Sequence, residues 1–592
     1  MFILGIHQAH NATAAILENG KIIAAASEER FTRKKNQFGL PINAIDYCLR
    51  CCNITPSEVD LVVIAGSTWP NYLASLETTG NNHSVLYSLL SILRNVHQKT
   101  HLSLLFLEYK FTFLKGTDGF FNKIVFRLIS LIFYPKIMNL LVEEFNFDKE
   151  KIIVVDHHQA HAYAALYGSP YPQQKKSVLV LTNDGGGDGL SSTISLYKNG
   201  YLRKVVQTTD QNSLGAFFAG ITQFMGMRPL EDEYKIMGLA PYAAEEGVDR
   251  VYQVIKKYIS VDPKTLCFIN KYAPDTLIYV FPKELSRFRF DWIAGAAQKL
   301  VEDLMFEWIK AAVKKYKINT IVCGGGVFMN VKANLKISEL PEVKEMYVFP
   351  SSGDESTAIG ACYFGFLNKM GKKNIPEPIR DLYLGPQFSD EEIKGFIDKK
   401  NDKKYLVRYC PNIEEVTAKL LASGKIVARL NGRMEWGARA LGNRSILADA
   451  SKEGVVEEIN KMIKKRDFWM PFAPSILKEE VKKYIENPKN IHAPFMNCAF
   501  HANPKTYHDL MGATHPYDKT LRPQIVDKET NPLYHKLISE YKKITGRGGI
   551  LNTSFNIHGD PIVCSPKDAL DAFERSDLKY LSLGNYLISK KH

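Results

Sequence analysis

The chain has 592 residues, 45% hydrophobic and 23% charged, a balance that excludes a disordered or collagen-like polymer and supplies about three to five folding units. Its formal net charge of +13 suits anionic ligands, but no RRM, zinc-finger or helix-turn-helix signature goes with it, so nucleic acid is not an expected partner. Nine cysteines, an odd number, argue against a disulfide framework, and the N-terminal run lacks the basic leader of a signal peptide, so a cytoplasmic protein is expected.

The first elements read as strand, polar loop, strand, Asn-Gly turn, strand: FILGI, HQAHNAT, AAILENG, KIIAAASEER. LVVIAGS (61–67) is a further buried strand. Residues 83–145 are rich in Leu, Phe, Ile and Tyr, but Lys123, Arg127 and Lys136 interrupt them. No uncharged apolar window is long enough for a transmembrane helix. A helical cap over a substrate site is the first reading, and a membrane-surface or partner contact the alternative. KIIVVDHHQAHAYAALYG reads as strand then helix, and SVLVLTNDGGGDGLSSTISLY as strand, glycine turn, strand. Residues 290–317 carry helical spacing. NTIVCGGGVFMNVKANL and MYVFPSSGDESTAIGACYFGF each read as strand, turn, helix. Lys, Gly and Pro cluster at MGKKNIPEPIRD, near 370–382, which marks a boundary. The expected domains are 1–375, with a helical insertion at about 70–150, and 383–592, a second α/β unit. No internal repeat is visible.

Several constellations carry chemistry. His157 and His161 lie four apart, on one face of a helix and within reach of one ion. Asp184 ends an apolar strand and enters a loop opened by Gly185 and Gly186, where a carboxylate and backbone N–H groups can hold a metal or phosphates. Asp354 follows MYVFP and precedes a helix of small residues. Two His with two Asp favour Fe(II), Mn(II), Zn(II) or Mg(II) over copper. The plain structural alternatives are packed histidines and, for Asp354, a helix N-cap. CGGGVFMN (323–330) is a turn whose glycines let backbone approach an adenosine or phosphate. Farther on, Arg439 and Arg444 sit beside glycines, Lys464 and Arg466 lie in KKRDFWMPFAP, and Asn552, Ser554 and Asn556 follow the strand GGIL. Cations with hydroxyl and amide donors suit a phosphate and a carboxamide-like group. Their structural alternative is a solvated basic face.

Together the runs SEERFTRKKN, DHHQAHA, EDEYKIMGLAPY, CGGGVFMNVKAN, SSGDESTAIGA, YLGP, GARALGNRSILAD, KKRDFWMPFAPS, LRPQIV and LNTSFNIHGDPIV resemble the NodU/CmcH family of carbamoyltransferases, which includes antibiotic O-carbamoyltransferases such as the tobramycin enzyme. The resemblance implies an α/β protein with two domains. The first is an actin-like ATPase (ribonuclease H-like, two lobes) related to the tRNA threonylcarbamoyl transferase, and the second is YrdC-like. It implies that carbamoyl phosphate and ATP, with Mg(II), form carbamoyl-adenylate in the second domain. The adenylate then passes inside to the first, where an Fe(II)-type ion holds it and the hydroxyl of a small natural product attacks.

On this resemblance His157, His161, Asp184 and Asp354 bind the metal. Lys464, Arg522 and Ser554 hold carbamoyl phosphate, with Arg439 and Arg444 nearby, and Asn552 is a further candidate binding residue. Gly325, Gly326 and Asn330 lie at the adenylate. His10 matches the family's loop histidine, a base for the acceptor alcohol. Two departures stand out: Asn11 replaces the family's Asp after that histidine, and Ala438 replaces a Pro. Asn11 cannot balance a substrate ammonium, although Glu231, Asp232 and Glu233 offer another acidic face. The competing readings are a tRNA-modifying threonylcarbamoyl-type enzyme and a non-catalytic ATP-binding switch. The oligomeric state is left open, a dimer being one option.

Overall fold

A computed structural model describes residues 1–66, 138–400 and 404–591. Residues 67–137, and with them most of the expected helical insertion and of the 83–145 contact segment, lie outside the described residues. The chain divides into two compact units: Met1–Glu28 with Asn36–Ile379, and Glu29–Lys35 with Arg380–His592.

Unit 1 contains two five-stranded sheets. In the first, β1 (Phe2–His7), β2 (Thr13–Glu18) and β3 (Lys21–Ser27) form an antiparallel meander. The β2–β3 hairpin turns on Asn19 and Gly20, whose φ values of 48° and 91° match the left-handed pair that a tight hairpin of right-twisted strands needs. β4 (Leu61–Ala65) then pairs parallel to β1, and β5 (Ile152–Val155) parallel to β4, giving the order β3-β2-β1-β4-β5. The second sheet repeats this plan. β6 (Val178–Gly187), β7 (Leu190–Lys198) and β8 (Tyr201–Thr209) form the meander, with a turn at Asn199-Gly200. After a two-stranded ribbon, β9 (Ile259–Val261) with β10 (Phe268–Asn270), the strands β11 (Thr320–Gly324) and β12 (Glu345–Val348) add in parallel on the β6 side. The order is β8-β7-β6-β11-β12. Duplicated sheets of this order make unit 1 the two-lobed, ribonuclease H-like arrangement of the actin-like fold. The duplication is visible in strand order although the sequence shows no repeat.

Helices cover the sheets: α1 (Ile42–Cys51), α2 (His157–Gly168), α3 (Phe290–Tyr316), α4 (Val331–Glu339) and α5 (Ser356–Met370). α2 follows the last strand of the first sheet and α5 the last strand of the second. They meet backbone to backbone at Gly360, where a Cβ would lie 1.9 Å from the Ala160 carbonyl oxygen, so a larger residue would force the two helices apart.

Unit 2 is built on an eight-stranded mixed sheet of order β13-β23-β22-β14-β15-β21-β16-β20. Its strands are β13 (Tyr405–Tyr409), β14 (Val427–Leu430), β15 (Arg444–Ala448), β16 (Ala473–Leu477), β20 (Gln524–Val526), β21 (Gly549–Ser554), β22 (Tyr580–Leu583) and β23 (Tyr586–Lys590). A small sheet of β17 (Ile485–Glu486), β18 (Phe500–Ala502) and β19 (Thr520–Leu521) lies between β16 and β20 in sequence. The helices α6 (Ile413–Ala422) and α7 (Pro532–Thr545) bury Ala418, Leu421, Leu537 and Ile538 with Val427, Leu447 and Ile550 of the sheet. α8 (Pro566–Glu574) starts with a capping box between Ser565 and Asp568. Among the described residues no helix is long and apolar enough to cross a membrane, and none of the nine cysteines is in a disulfide.

Candidate functional site

In unit 1 the ends of the equivalent strands of both lobes converge. α2 begins immediately after β5, with Asp156 as N-cap accepting from the Gln159 amide at 2.8 Å. This fixes the first turn and turns His157 and His161, one helical turn apart, to the same side. Asp184 lies on β6 at a break in the β6–β7 register between Asn183 and Gly187. The expected glycine loop is thus a bulged continuation of the strand, which re-aims the carboxylate. Asp354 lies between β12 and α5. One ligand atom from each of these four residues lies within 4.8 Å of every other. His157 Nε2 is 3.0 Å from Asp184 Oδ2, 3.1 Å from His161 Nε2 and 3.7 Å from Asp354 Oδ1.

These donors fit a divalent cation. Two imidazole nitrogens and two carboxylates suit a borderline ion, and without one the buried carboxylates repel. Burial first, then the charge of Asp184, pushes the Asp354 carboxyl well above its usual range. Burial alone would lower His157, but the hydrogen bond to Asp184 and the charge of Asp354 outweigh it and raise it to about 9. Ser356 Oγ sits 2.9 Å from His161 Nδ1, an arrangement that leaves Nε2 free for an ion. His158 has no part in this. Its ring is held 2.9 Å from Thr182 Oγ1 and 3.0 Å from the Leu190 carbonyl, and burial keeps it neutral, at about 3.

The glycines sort differently from expectation. Gly185 has open space where a Cβ would point and Gly186 only ordinary contacts, whereas a Cβ on Gly187 would lie 2.2 Å from the His157 ring. Gly187 is therefore the residue that permits the cluster. Gly325, at φ 96°, lets the turn pass against the Asn183 backbone. The Gly326 amide donates to Asp184 Oδ1 at 3.0 Å. The Asn330 side chain is committed to local contacts: it caps α4 through the Ala333 amide at 3.0 Å and pairs with Gln298 at 2.8 Å. His10 lies in the β1–β2 loop with its ring edge-on to Phe38. The sequence reading missed His7, a buried residue at the end of β1. Its Nε2 donates to the His10 carbonyl at 3.0 Å and lies 3.8 Å from Asp354 Oδ2. Its position at a strand end, where Asp184 drew attention, was the available signal. Of the acidic run, Asp232 and Glu233 accept from the backbone amides of Arg228 and Leu230 at 3.0 and 2.7 Å.

Unit 2 gathers a second cluster. Lys464, 1% exposed, ends a helical turn and points its ammonium at β21 and the loop after it. It donates to Ser554 Oγ at 3.1 Å, Asn556 Oδ1 at 2.8 Å and the Ser554 and Asn556 carbonyls. Every partner is neutral. Burial first, then the nearby Arg466, holds its pKa well below the usual lysine value. Arg439 and Arg522 are half-buried. Arg444 differs from its expected role beside the donor. Its guanidinium is fully buried and donates to the carbonyls of Cys564, Asn431, Gly432, Asn443 and Pro386 at 3.0–3.3 Å, so it organises loops instead. The Asn552 amide nitrogen is similarly committed, to Ala440 O, Ser475 Oγ and Gln524 Oε1 at 3.0–3.1 Å. Glu435, also missed, accepts the amides of Leu441, Asn443 and Arg444 at 2.6–3.3 Å and shapes the loop that carries Arg439.

Family profiles match nearly the whole chain: Carbamoyltransferase N-terminus over residues 2–363 and Carbamoyltransferase C-terminus over 418–590. The Methanocaldococcus jannaschii protein MJ1051 is 32% identical over 99% of both chains. The nodulation protein NolNO of Sinorhizobium fredii is 29% identical over 98% of this chain and 79% of its own length. The 3'-hydroxymethylcephem-O-carbamoyltransferase of Streptomyces clavuligerus is 25% identical over 74% of this chain and 81% of its own.

Proposed function

The chain belongs to the carbamoyltransferase family, and from that premise we propose that it is an ATP-dependent O-carbamoyltransferase acting on a hydroxyl of a small natural product. One observation carries the donor half of this reading. Lys464 is a buried ammonium with neutral oxygens around it and no ion pair among the described residues. A buried cation without a counter-charge is costly unless an anion completes it, and carbamoyl phosphate is such an anion. Unit 2, read as YrdC-like, consumes carbamoyl phosphate, ATP and water. The carbamoyl–phosphate linkage is hydrolysed, the carbamate oxygen attacks the α-phosphorus of ATP, and phosphate and pyrophosphate leave carbamoyl-adenylate. Lys464, Arg439 and Arg522 neutralise the phosphates so that the two anions can approach, while Ser554 and Asn556 position Lys464.

Unit 1 consumes the adenylate. The acceptor oxygen bonds to the carbamoyl carbon, the bond to AMP breaks, and His10 takes the hydroxyl proton. His157, His161, Asp184 and Asp354 would hold a divalent cation, which would supply Lewis-acid stabilisation of developing negative charge. Iron(II) is the ion that the family resemblance implies, and the donor set accepts it. Gly325 and Gly326 let the β11–α4 turn pack against the Asn183 backbone and the Asp184 carboxylate, which brings the turn proposed for the adenylate beside the metal ligands. The test is incubation with carbamoyl phosphate, MgATP, Fe(II) or Mn(II) and a panel of hydroxylated small molecules, followed by mass spectrometry. AMP, pyrophosphate and a carbamate ester that all require carbamoyl phosphate are expected. Nucleotide turnover indifferent to carbamoyl phosphate overturns the reading.

A further inference from the structure

The motif SEERFTRKKN supplies no ligand to either proposed half-reaction, yet its central residues, Glu29–Lys35, belong to unit 2. The chain contributes them from between β3 and α1, whose own residues lie in unit 1. Two arginines of this segment reach the loops that carry the phosphate-binding side chains. Arg30, buried, donates through Nη2 to the Gly437 carbonyl at 2.8 Å and pairs with Glu29 at 3.1 Å. Gly437, at φ 98°, stands two residues before Arg439. Arg33 donates through Nη1 to the Ile562 carbonyl at 2.6 Å and through Nη2 to the Pro561 carbonyl at 2.7 Å. Its own backbone is left-handed, at φ 60°, a conformation that non-glycine residues seldom adopt.

The loop that Arg33 grips is the one that holds Lys464. It begins at Asn556, whose amide nitrogen donates to the Ile557 and Asp560 carbonyls at 2.9 and 2.8 Å and whose Oδ1 accepts from Lys464. It ends at Cys564, whose amide donates to Asp568 at 3.1 Å. Arg33 Nε lies 3.8 Å from that same Asp568. Pro561 and Ile562 are buried, so their carbonyls depend on this guanidinium. A planar fork that satisfies two successive carbonyls is a geometry a lysine cannot supply.

We infer that Arg33, with Arg30, is a positioning residue of the donor site: the segment 29–35 is an integral strap of unit 2 that sets the 556–564 loop, and through it Asn556 and Lys464, for an anionic phosphate. The inference rests on the reading of unit 2 as the donor site, and its test has a readout that does not. In the full-length protein, Arg33→Ala and Arg33→Lys are compared with wild type and with Lys34→Ala, an exposed neighbour. Hydrogen–deuterium exchange follows the amides of Asp560, Val563 and Cys564, calorimetry measures inorganic phosphate binding, and pyrophosphate release gives KM for carbamoyl phosphate. Both Arg33 variants are expected to exchange these amides about tenfold faster, to bind phosphate about tenfold more weakly, and to raise KM rather than lower kcat. The metal content of unit 1 and the behaviour of Lys34→Ala stay as in wild type. Should Arg33→Ala give no folded protein, Arg33→Lys carries the same readouts. Wild-type exchange in Arg33→Ala, or full rescue by Arg33→Lys, overturns the strap. If wild type itself neither binds phosphate nor releases pyrophosphate, the donor reading of unit 2 fails instead, and the exchange data alone decide the strap.

Discussion

The His157 cluster of unit 1 and the Lys464 cluster of unit 2 are electrostatic opposites. In the first, two carboxylates and two imidazoles crowd within 4.8 Å, and without a cation a His157 of raised pKa must offset the carboxylate charge. In the second, an ammonium is buried among neutral oxygens and has no negative partner among the described residues. Both arrangements hold ionisable groups out of water, which is unfavourable unless their charge is balanced. On the proposed reading, a ligand of the opposite sign completes each. The difference teaches that one chain can separate cation-dependent and anion-dependent chemistry by which charges it leaves unbalanced.

The strongest way to break this comparison is a pair of substitutions. His157→Ala is expected to lower acceptor carbamoylation by about a thousandfold while carbamoyl-phosphate-dependent pyrophosphate release persists. Lys464→Ala is expected to lower that release by about 10²–10³-fold while the cation content stays at wild-type level. If both variants lose the same partial reaction, the sites are not divided as described. Next in size is Gly187→Ala. Its Cβ would strike the His157 ring at 2.2 Å, which predicts loss of cation binding and about 1–3 kcal/mol of stability, read by metal analysis and denaturant unfolding. Ser356→Ala removes only the partner of His161 Nδ1 and should weaken cation affinity by about 10–100-fold without touching phosphate binding.

The smallest effects concern pH. Folding holds the Lys464 pKa well below 10.5, so between the lowered value and 10.5 the unfolded chain binds more protons at this residue. This residue's contribution to stability therefore rises as pH rises through the lowered value. Phosphate reverses the balance by favouring the ammonium. Its affinity should increase as pH falls through the same window, with a proton taken up on binding. Calorimetry in buffers of different ionisation enthalpy measures that proton. Lys464→Met should unfold at or above the wild-type temperature at neutral pH while failing to bind phosphate.

The two lobes of unit 1 show where local signals stop. Asn19-Gly20 announces a hairpin and the apolar runs around it announce strands, so the first meander was legible one element at a time, whereas the Asn199-Gly200 turn and β8 of the second emerge only from the structure. The equivalence of the two lobes was not legible, because strand order is a property of pairing between distant segments. The spacing of His157 and His161 pointed to one helix face, but it could not show that His158 is a neutral strut held by Thr182 and Leu190. Arg444 read like Arg439 in sequence. Only the five carbonyls around it, drawn from four separate stretches between Pro386 and Cys564, reveal a scaffold residue. His7, Gly187 and Glu435 carried no motif of their own, since their importance lies in what packs against them.

Taken alone, the amino-acid order determined the α/β class, several turn positions and which residue types carry the chemistry proposed for a cation and a phosphate, because hydrophobic period, glycine conformation and side-chain chemistry act over a few neighbouring positions. The tertiary structure decided which of those residues meet, which are consumed in holding loops, and that a segment from the N-terminal region completes the C-terminal unit. Proximity and desolvation are set by packing between parts of the chain hundreds of residues apart, and no local pattern encodes them.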